Sequence, residues 1–96
     1  MTHEQLKAKA LQQQAVADAY DQLEDEFSLL RQMLAARHRA GLTQDDIAQK
    51  MGTKATAVTR LESSLSSGKH SPSLSTLRKY AKAVGCRLEV RLIQDQ

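Results

Sequence analysis

The sequence predicts an all-α domain built around a helix-turn-helix, with a helical arm before it and one β-strand after it. Three patterns lead to this fold class: a compact motif over residues 44–61, an apolar rhythm of three and four residues upstream of it, and a strict alternation near the carboxyl end. A chain of 96 residues buries only a modest core, so we also expect oligomerisation. The predicted units are an arm (1–23), the domain (24–85) and a terminal strand (86–96).

The arm is acidic, whereas the rest of the chain is basic. Residues 1–30 carry two Lys or Arg against six Asp or Glu, a net charge of −4, and residues 31–96 carry twelve against five, a net charge of +7. Such asymmetry indicates two partners of opposite charge, with a solvated acidic helix face as the simpler alternative. Residues 1–14 have a helix-forming composition with Leu6 and Leu11 as large apolar side chains. We expect this stretch to be only partly folded without a partner.

The first helix of the domain is predicted from about residue 24 to residue 40. Gly41 ends it, and Leu42 folds back over its last turn. The same apolar rhythm continues upstream, so this helix either begins near Val16 or follows a separate amphipathic helix on the arm. Its predicted core-facing residues are Phe27, Leu30 and Leu34.

The helix-turn-helix motif follows at once. Thr43 can cap a helix that begins at Gln44, and Asp46 suits its first turn. Ala48 provides the small side chain required where two steeply crossing helices come closest, and Gly52 provides the left-handed backbone of the turn. An ordinary helical hairpin is the alternative, but this spacing makes DNA the first partner to consider. The predicted buried residues are Ile47, Met51, Val58 and Leu61.

A closing helix is predicted to begin at Pro72 and Ser73 and to end at Gly85. The run "SSLSSGKHSP" before it is rich in serine and glycine, which predicts a loop with Lys69 and His70 at its tip. The predicted apolar stripe of the closing helix consists of Leu74, Leu77, Ala81 and Val84.

The terminal segment alternates apolar and charged residues with the period of a strand. Its backbone groups would be unpaired in a lone strand, so we expect pairing with a second copy or with a partner's sheet. The preferred prediction is a homodimer with a two-stranded ribbon, and the alternative is a helix extension or a frayed tail. The apolar positions are Cys86, Leu88, Val90 and Leu92, of which the last three are the predicted dimer interface.

No residue pattern predicts an enzyme. The three histidines, His3, His38 and His70, are scattered, and Cys86 lies in the predicted strand. Neither a glycine-rich phosphate loop nor metal-ligand spacing occurs, so we expect no cofactor and no metal. A single cysteine excludes an internal disulfide, and no charged-then-apolar leader or long apolar run opens the sequence. We therefore predict a cytoplasmic protein that does not bind membranes.

The segments "GLTQDDIAQKMGTKATAVTRLES" and "PSLSTLRKYAKAVG" resemble the lambda-repressor-like (Xre, Cro and C1) helix-turn-helix family over residues 27–85. The arm ending in "AYDQLEDEFSLLRQMLAARHRAGLTQ" and the closing "GCRLEVRLI" are similar to antitoxins of the HigA type. Such antitoxins bind RelE-like ribonuclease toxins and repress their own operon. The terminal strand also resembles that of HipB, an antitoxin in which such strands pair across the dimer.

This resemblance implies DNA-binding roles for particular residues. Gln44 matches the family glutamine that binds a phosphate and braces the recognition helix. Family members often have Ser and Gln where this chain has Lys54 and Ala55, so the glutamine that reads adenine is absent and Lys54 can read guanine instead. Lys69 is a candidate phosphate ligand in the loop. The exposed, groove-facing positions implied by the family are Lys54, Ala55, Thr56, Thr59 and Arg60, of which Arg60 is expected to hold phosphate.

Two functions follow from this reading. The first is a DNA-binding antitoxin whose basic dimer binds an operator while its acidic arm occupies a basic RelE/HigB-like ribonuclease toxin. The second is a stand-alone phage-type or metabolic repressor in which Val16 to Leu34 form a dimerisation coil of nearly three heptads. The predicted toxin-binding residues are Leu11, Val16, Tyr20, Leu23 and Phe27.

Overall fold

The structure, a computed structural model, describes residues 2–68 and 71–95, except for the side chains of residues 19–22. Four helices account for its regular structure, which confirms the all-α class: α1 (His3–Ala40), α2 (Gln44–Met51), α3 (Ala55–Ser67) and α4 (Leu74–Ala83). Within the described residues, no helix is both long and apolar enough to cross a membrane.

Arm and domain share the single helix α1, which is 38 residues long. It begins at His3 rather than near Val16 or residue 24, because Thr2 and Gln5 form a reciprocal capping box. Gly41 ends it in the left-handed conformation, as predicted, and the Leu42 N–H donates to the Arg37 carbonyl oxygen at 3.2 Å. That residues 1–14 are only partly folded without a partner stays a prediction.

The core lies between the carboxyl half of α1 and the other three helices. As predicted, Ile47, Ala48, Val58 and Leu61 are buried, and Met51 is half-buried. The face that α1 turns inward is shifted from the predicted one. Phe27, Leu30 and Leu34 are only half-buried, whereas Met33 and Ala36 are buried.

The first half of the serine-rich run, residues 63–67, is helical rather than a loop, which corrects the sequence prediction, whereas Ser71 and Pro72 lie outside the helices. α3 continues to Ser67 because Leu65 is buried in the core, and this burial stabilises the last turn of the helix. The serine hydroxyls find acceptors within the helix, since Ser64 donates to the Leu61 carbonyl and Ser66 to that of Ser63, both at 2.8 Å. Gly68 then ends α3 in the left-handed conformation.

The predicted stripe of α4 is also corrected. Leu74 is 51% exposed because Ser73 caps the helix and Leu74 occupies its first, outward-facing position. Tyr80 takes the central place instead and is 1% exposed, and its hydroxyl lies 3.5 Å from the Met33 carbonyl oxygen. Leu77 and Val84 are buried as predicted, and Ala81 is half-buried.

The terminal segment forms no strand in the described part of this single chain, contrary to the sequence prediction. Leu88 packs against the core, but Val90 and Leu92 are 64% and 102% exposed, so the alternation has no continuous buried face within one copy. A strand exists only when its backbone groups pair with a neighbour, and the described residues 86–95 form no such ladder.

Candidate nucleic-acid interface

The helix-turn-helix is built by local hydrogen bonds at its start and its turn. Thr43 and Asp46 form the predicted capping box: the Thr43 hydroxyl oxygen accepts from the Asp46 N–H at 3.1 Å, and the Asp46 carboxylate accepts from the Thr43 N–H at 2.9 Å. This backbone hydrogen bond from Thr43 holds the pKa of Asp46 below its usual value. The α2 helix therefore begins at a fixed residue.

The turn between the two helices has the geometry that the spacing predicts. Gly52 has φ 72°, and its N–H is directed at the carbonyl oxygens of Ala48 and Gln49. The Thr53 N–H also donates to Ala48, at 2.8 Å. Ala48 itself is almost fully buried, so the two helices meet at a methyl group. The α3 helix is thereby held at a defined angle to α2.

The exposed face of α3 contains most of the residues implied as DNA-binding. Lys54, Thr56, Thr59 and Arg60 are exposed, although the Thr59 hydroxyl is engaged within the protein. Ala55 differs, because it is half-buried and packs against the core. Lys69 lies outside the described residues.

Gln44 links α2 to α3 through its side-chain amide. Its oxygen accepts a hydrogen bond from the Thr59 hydroxyl at 3.0 Å, and its nitrogen lies 3.4 Å from both carboxylate oxygens of Glu62. The Thr59 hydroxyl is also 3.1 Å from the Ala55 carbonyl oxygen. Thr59 therefore orients the Gln44 side chain in this structure. The family resemblance implied a different role for Thr59, which was to face the DNA groove.

Glu62 and Arg37 complete this network, and the sequence reading missed both. Glu62 is a buried carboxylate on the inner face of α3, and the Arg37 guanidinium of α1 lies 3.7 Å from it. The buried Arg37 Nε has no hydrogen-bond partner among the described residues. A signal existed in the sequence, because Glu62 lies four residues after Val58 on the apolar face of a helix, where a charge requires a partner.

The residues predicted to bind a toxin lie on α1, and the residues predicted to form the dimer interface lie in the terminal segment. Leu11 and Val16 are exposed on α1, whereas Leu23 and Phe27 are half-buried near the domain. The side chain of Tyr20 lies outside the described residues. The predicted dimer residues Leu88, Val90 and Leu92 run from the core into solvent at the opposite end of the chain from the arm.

Taken together, the capped α2, the glycine turn and the exposed face of α3 define a helix-turn-helix DNA-binding domain. Comparison with protein families agrees with this class, because the helix-turn-helix family matches residues 33–90, more than half of the chain. The chain belongs to this family, which is of the Xre and lambda-repressor type, and is a DNA-binding transcription regulator. A regulatory family of this kind argues against an enzyme. No curated protein and no solved structure matches the chain.

Proposed function

We propose that the chain is the DNA-binding antitoxin of a type II toxin-antitoxin system. Two copies bind an operator and repress their own operon, while the helical arm neutralises a ribonuclease toxin of the RelE/HigB kind. The observation that carries this proposal is the exposure of the arm: every side chain from residue 3 to residue 18 is exposed. A long helix whose side chains are exposed gains little stability from contacts with its own domain. We therefore infer that an external partner supplies the burial that orders it.

The surface of the arm suits a basic partner with apolar grooves. Leu11 and Val16 are 64% and 58% exposed, and Asp18, Glu24 and Asp25 are exposed acidic residues on the same helix. A ribonuclease must hold phosphates with Lys and Arg, so an acidic helix complements the surface around its active site. Inhibition then results from occlusion of that site and requires no chemistry by this chain.

The alternative, a stand-alone repressor with a dimerisation coil, conflicts with the burial of α1. Such a coil needs its heptad positions free, but Leu30 packs against the core and Leu23 lies against Gly68 at the end of α3. Phe27 and Leu34 are half-buried as well. Only the upstream part of the predicted coil remains, and it is too short to hold two helices together. We therefore prefer the antitoxin.

The arm is tested in the full-length chain by the double substitution Leu11→Ser and Val16→Ser. We expect loss of neutralisation of the ribonuclease encoded beside this chain's gene, because two large exposed apolar side chains are removed from the arm. Toxin activity is measured on RNA after co-purification, and operator binding is measured in parallel and is expected to be unchanged. The matched control is Gln12→Ser with Gln13→Ser, which alters polar residues of the same exposed turn. Full neutralisation by the Leu11/Val16 variant would leave the stand-alone repressor as the function.

The DNA surface is tested on a panel of operator variants taken from the promoter upstream of the gene. Gln44→Ala should weaken binding to all sequences alike, by about tenfold, because a phosphate contact carries no base information. Lys54→Ala should change the order of preference among the sequences. Lys9→Ala on the arm serves as the control and should leave affinity unchanged. Identical behaviour of the Gln44 and Lys54 variants across the panel would refute this division of roles.

A further inference from the structure

An open groove, the α1–α4 groove, lies between α1, α4 and the segment that follows Gly85. Its volume is about 560 Å³, within the range of about 300–1,000 Å³ that is usual for sites of small molecules. The large apolar side chains of its lining are Leu29, Met33, Leu77, Tyr80, Val84 and Leu88. All six are buried or half-buried, so they form the floor of the groove.

The charged side chains of this groove are exposed and mostly cationic. Arg39 of α1 and Arg87 and Arg91 of the terminal segment contribute three positive charges, against the single carboxylate of Glu89. Glu89 already has a partner, because its Oε1 lies 3.5 Å from Arg91 Nε. Arg39 and Arg87 form no ion pair with any residue that the structure describes. The groove therefore combines an apolar floor with a rim of net positive charge.

The floor and the rim together select the chemistry of an occupant. A bare anion would leave the apolar floor in contact with water, and an uncharged apolar molecule would leave the arginines without a counter-charge. A carboxylate on an apolar chain satisfies both, because a guanidinium binds a carboxylate through two parallel hydrogen bonds. Two turns of a peptide helix about 10 Å wide would occupy roughly 850 Å³. Size therefore favours a small molecule over a docked helix.

We propose that the α1–α4 groove binds a small amphipathic carboxylate. The apolar chain of this ligand lies on Met33, Tyr80 and Val84, and its carboxylate binds to Arg39 and Arg87. The site shares no residue with the exposed arm or with the exposed face of α3, so it is additional to the toxin and DNA surfaces of the proposed function. One wall belongs to the terminal segment, so a bound ligand holds that segment against α1 and α4.

Calorimetric titration of the full chain with decanoate tests this site. We expect saturable binding with a dissociation constant of roughly 0.1–1 mM. Octanoate should bind about fifteenfold more weakly, because it buries two CH₂ groups fewer. Decyltrimethylammonium has a chain of the same length with the opposite charge and should bind at least about tenfold more weakly than decanoate. Absence of saturable decanoate binding in the millimolar range, or equal affinity for the cation, overturns the proposal.

A double substitution tests the arginines that hold the carboxylate. Arg39→Gln with Arg87→Gln should raise the dissociation constant of decanoate by about tenfold or more, because the carboxylate loses two charge-assisted partners. The matched control is Arg78→Gln with Lys79→Gln, since both are exposed cations of α4 that do not line the groove. It should change the dissociation constant less than about twofold, because distant exposed charges are screened by salt. An equal effect of the two double variants would refute the assignment of the carboxylate.

The reactivity of Cys86 shows whether the ligand lies in the groove. Cys86 is the single cysteine of the chain, and it is exposed and lines the groove. Decanoate at about ten times its dissociation constant should slow the reaction of Cys86 with iodoacetamide about tenfold, because roughly one site in eleven is then free. The control is Cys86→Ser with Ser75→Cys, which places the thiol on α4 outside the groove. Its reaction rate should not change with decanoate.

The remaining outcomes decide between ligands and places. Saturable decanoate binding without protection of Cys86 puts the ligand elsewhere and overturns this site. Protection of Cys86 by a peptide of residues 16–27, which is acidic and partly apolar, but not by decanoate, assigns the groove to a polypeptide and also overturns the proposal. Protection by decanoate, together with weaker binding to the arginine variant, supports it. None of these measurements involves operator or toxin, so the site is tested independently of the proposed function.

Discussion

Replacing Tyr80 with alanine is expected to lower the free energy of unfolding by about 4 kcal/mol, the range found when a buried aromatic side chain is deleted. Tyr80 is the largest fully buried side chain of the described residues, and it packs with Leu77 and Met33 in the cluster that joins α4 to α1. A domain of this size has only about 5–15 kcal/mol of stability in total. Urea unfolding followed by circular dichroism measures the loss, and operator binding should disappear near the unfolding midpoint.

The matched control is Tyr80→Phe, which keeps the ring and removes the hydroxyl. Its cost should stay below about 1 kcal/mol, because the hydrogen bond to the Met33 carbonyl is long, at 3.5 Å. A Phe variant as unstable as the Ala variant would mean that the hydroxyl, and not the packing of the ring, holds α4 in place.

The same pair of proteins makes a prediction about alkaline pH. Burial raises the pKa of Tyr80 from 10.0 to about 12, and the nearby Glu62 carboxylate acts in the same direction. The pKa of Tyr80 is higher in the folded than in the unfolded chain. The contribution of the neutral Tyr80 to the free energy of unfolding is therefore complete below pH 10 and is lost as the pH rises towards 12. Tyr80→Phe should therefore lose less stability than the wild type between these pH values. An equal loss of stability in both proteins over this pH range would contradict the raised pKa of Tyr80.

Signals that act within one turn of the chain could be predicted from the sequence. Thr43 with Asp46, and the glycines 41 and 52, fix helix ends through local hydrogen bonds and backbone conformation, and each lies where the sequence places it. The end of α3 could not be predicted in this way. The preference of its serines for loops is outweighed by the burial of Leu65, which depends on α1 being packed alongside.

Features that join distant segments were the ones the sequence did not reveal. Tyr80 lies in the core three residues after Leu77 and four before Val84, both of which are buried, whereas Leu74 in the first turn of α4 stays exposed. The exposed face of α3 could be assigned from the motif. The contacts of the side chains that support this face could not be predicted. Gln44 is held by Thr59 and Glu62 across 15 and 18 residues of sequence, a pairing that only the crossing of α2 and α3 creates.

The Arg37–Glu62 pair behind Gln44 is expected to respond differently to one substitution than to two. Glu62→Leu leaves the Arg37 guanidinium, which is only 21% exposed, without its counter-charge, and should lower the free energy of unfolding by about 2–3 kcal/mol. The double variant Arg37→Leu with Glu62→Leu removes both charges from the same place. It should recover most of that loss, because two apolar side chains replace a desolvated pair at little net cost.

Operator binding by these variants separates stability from the positioning of Gln44. Thr59 still donates to the Gln44 oxygen in both variants, but the carboxylate that faces the Gln44 nitrogen is gone. We therefore expect both to bind the operator about tenfold more weakly than the wild type at a temperature where each is folded, although their stabilities differ. Recovery of stability together with full recovery of affinity in the double variant would show that Glu62 acts on DNA binding only through Arg37. A double variant no more stable than Glu62→Leu would mean that the unpaired arginine is not the source of the loss.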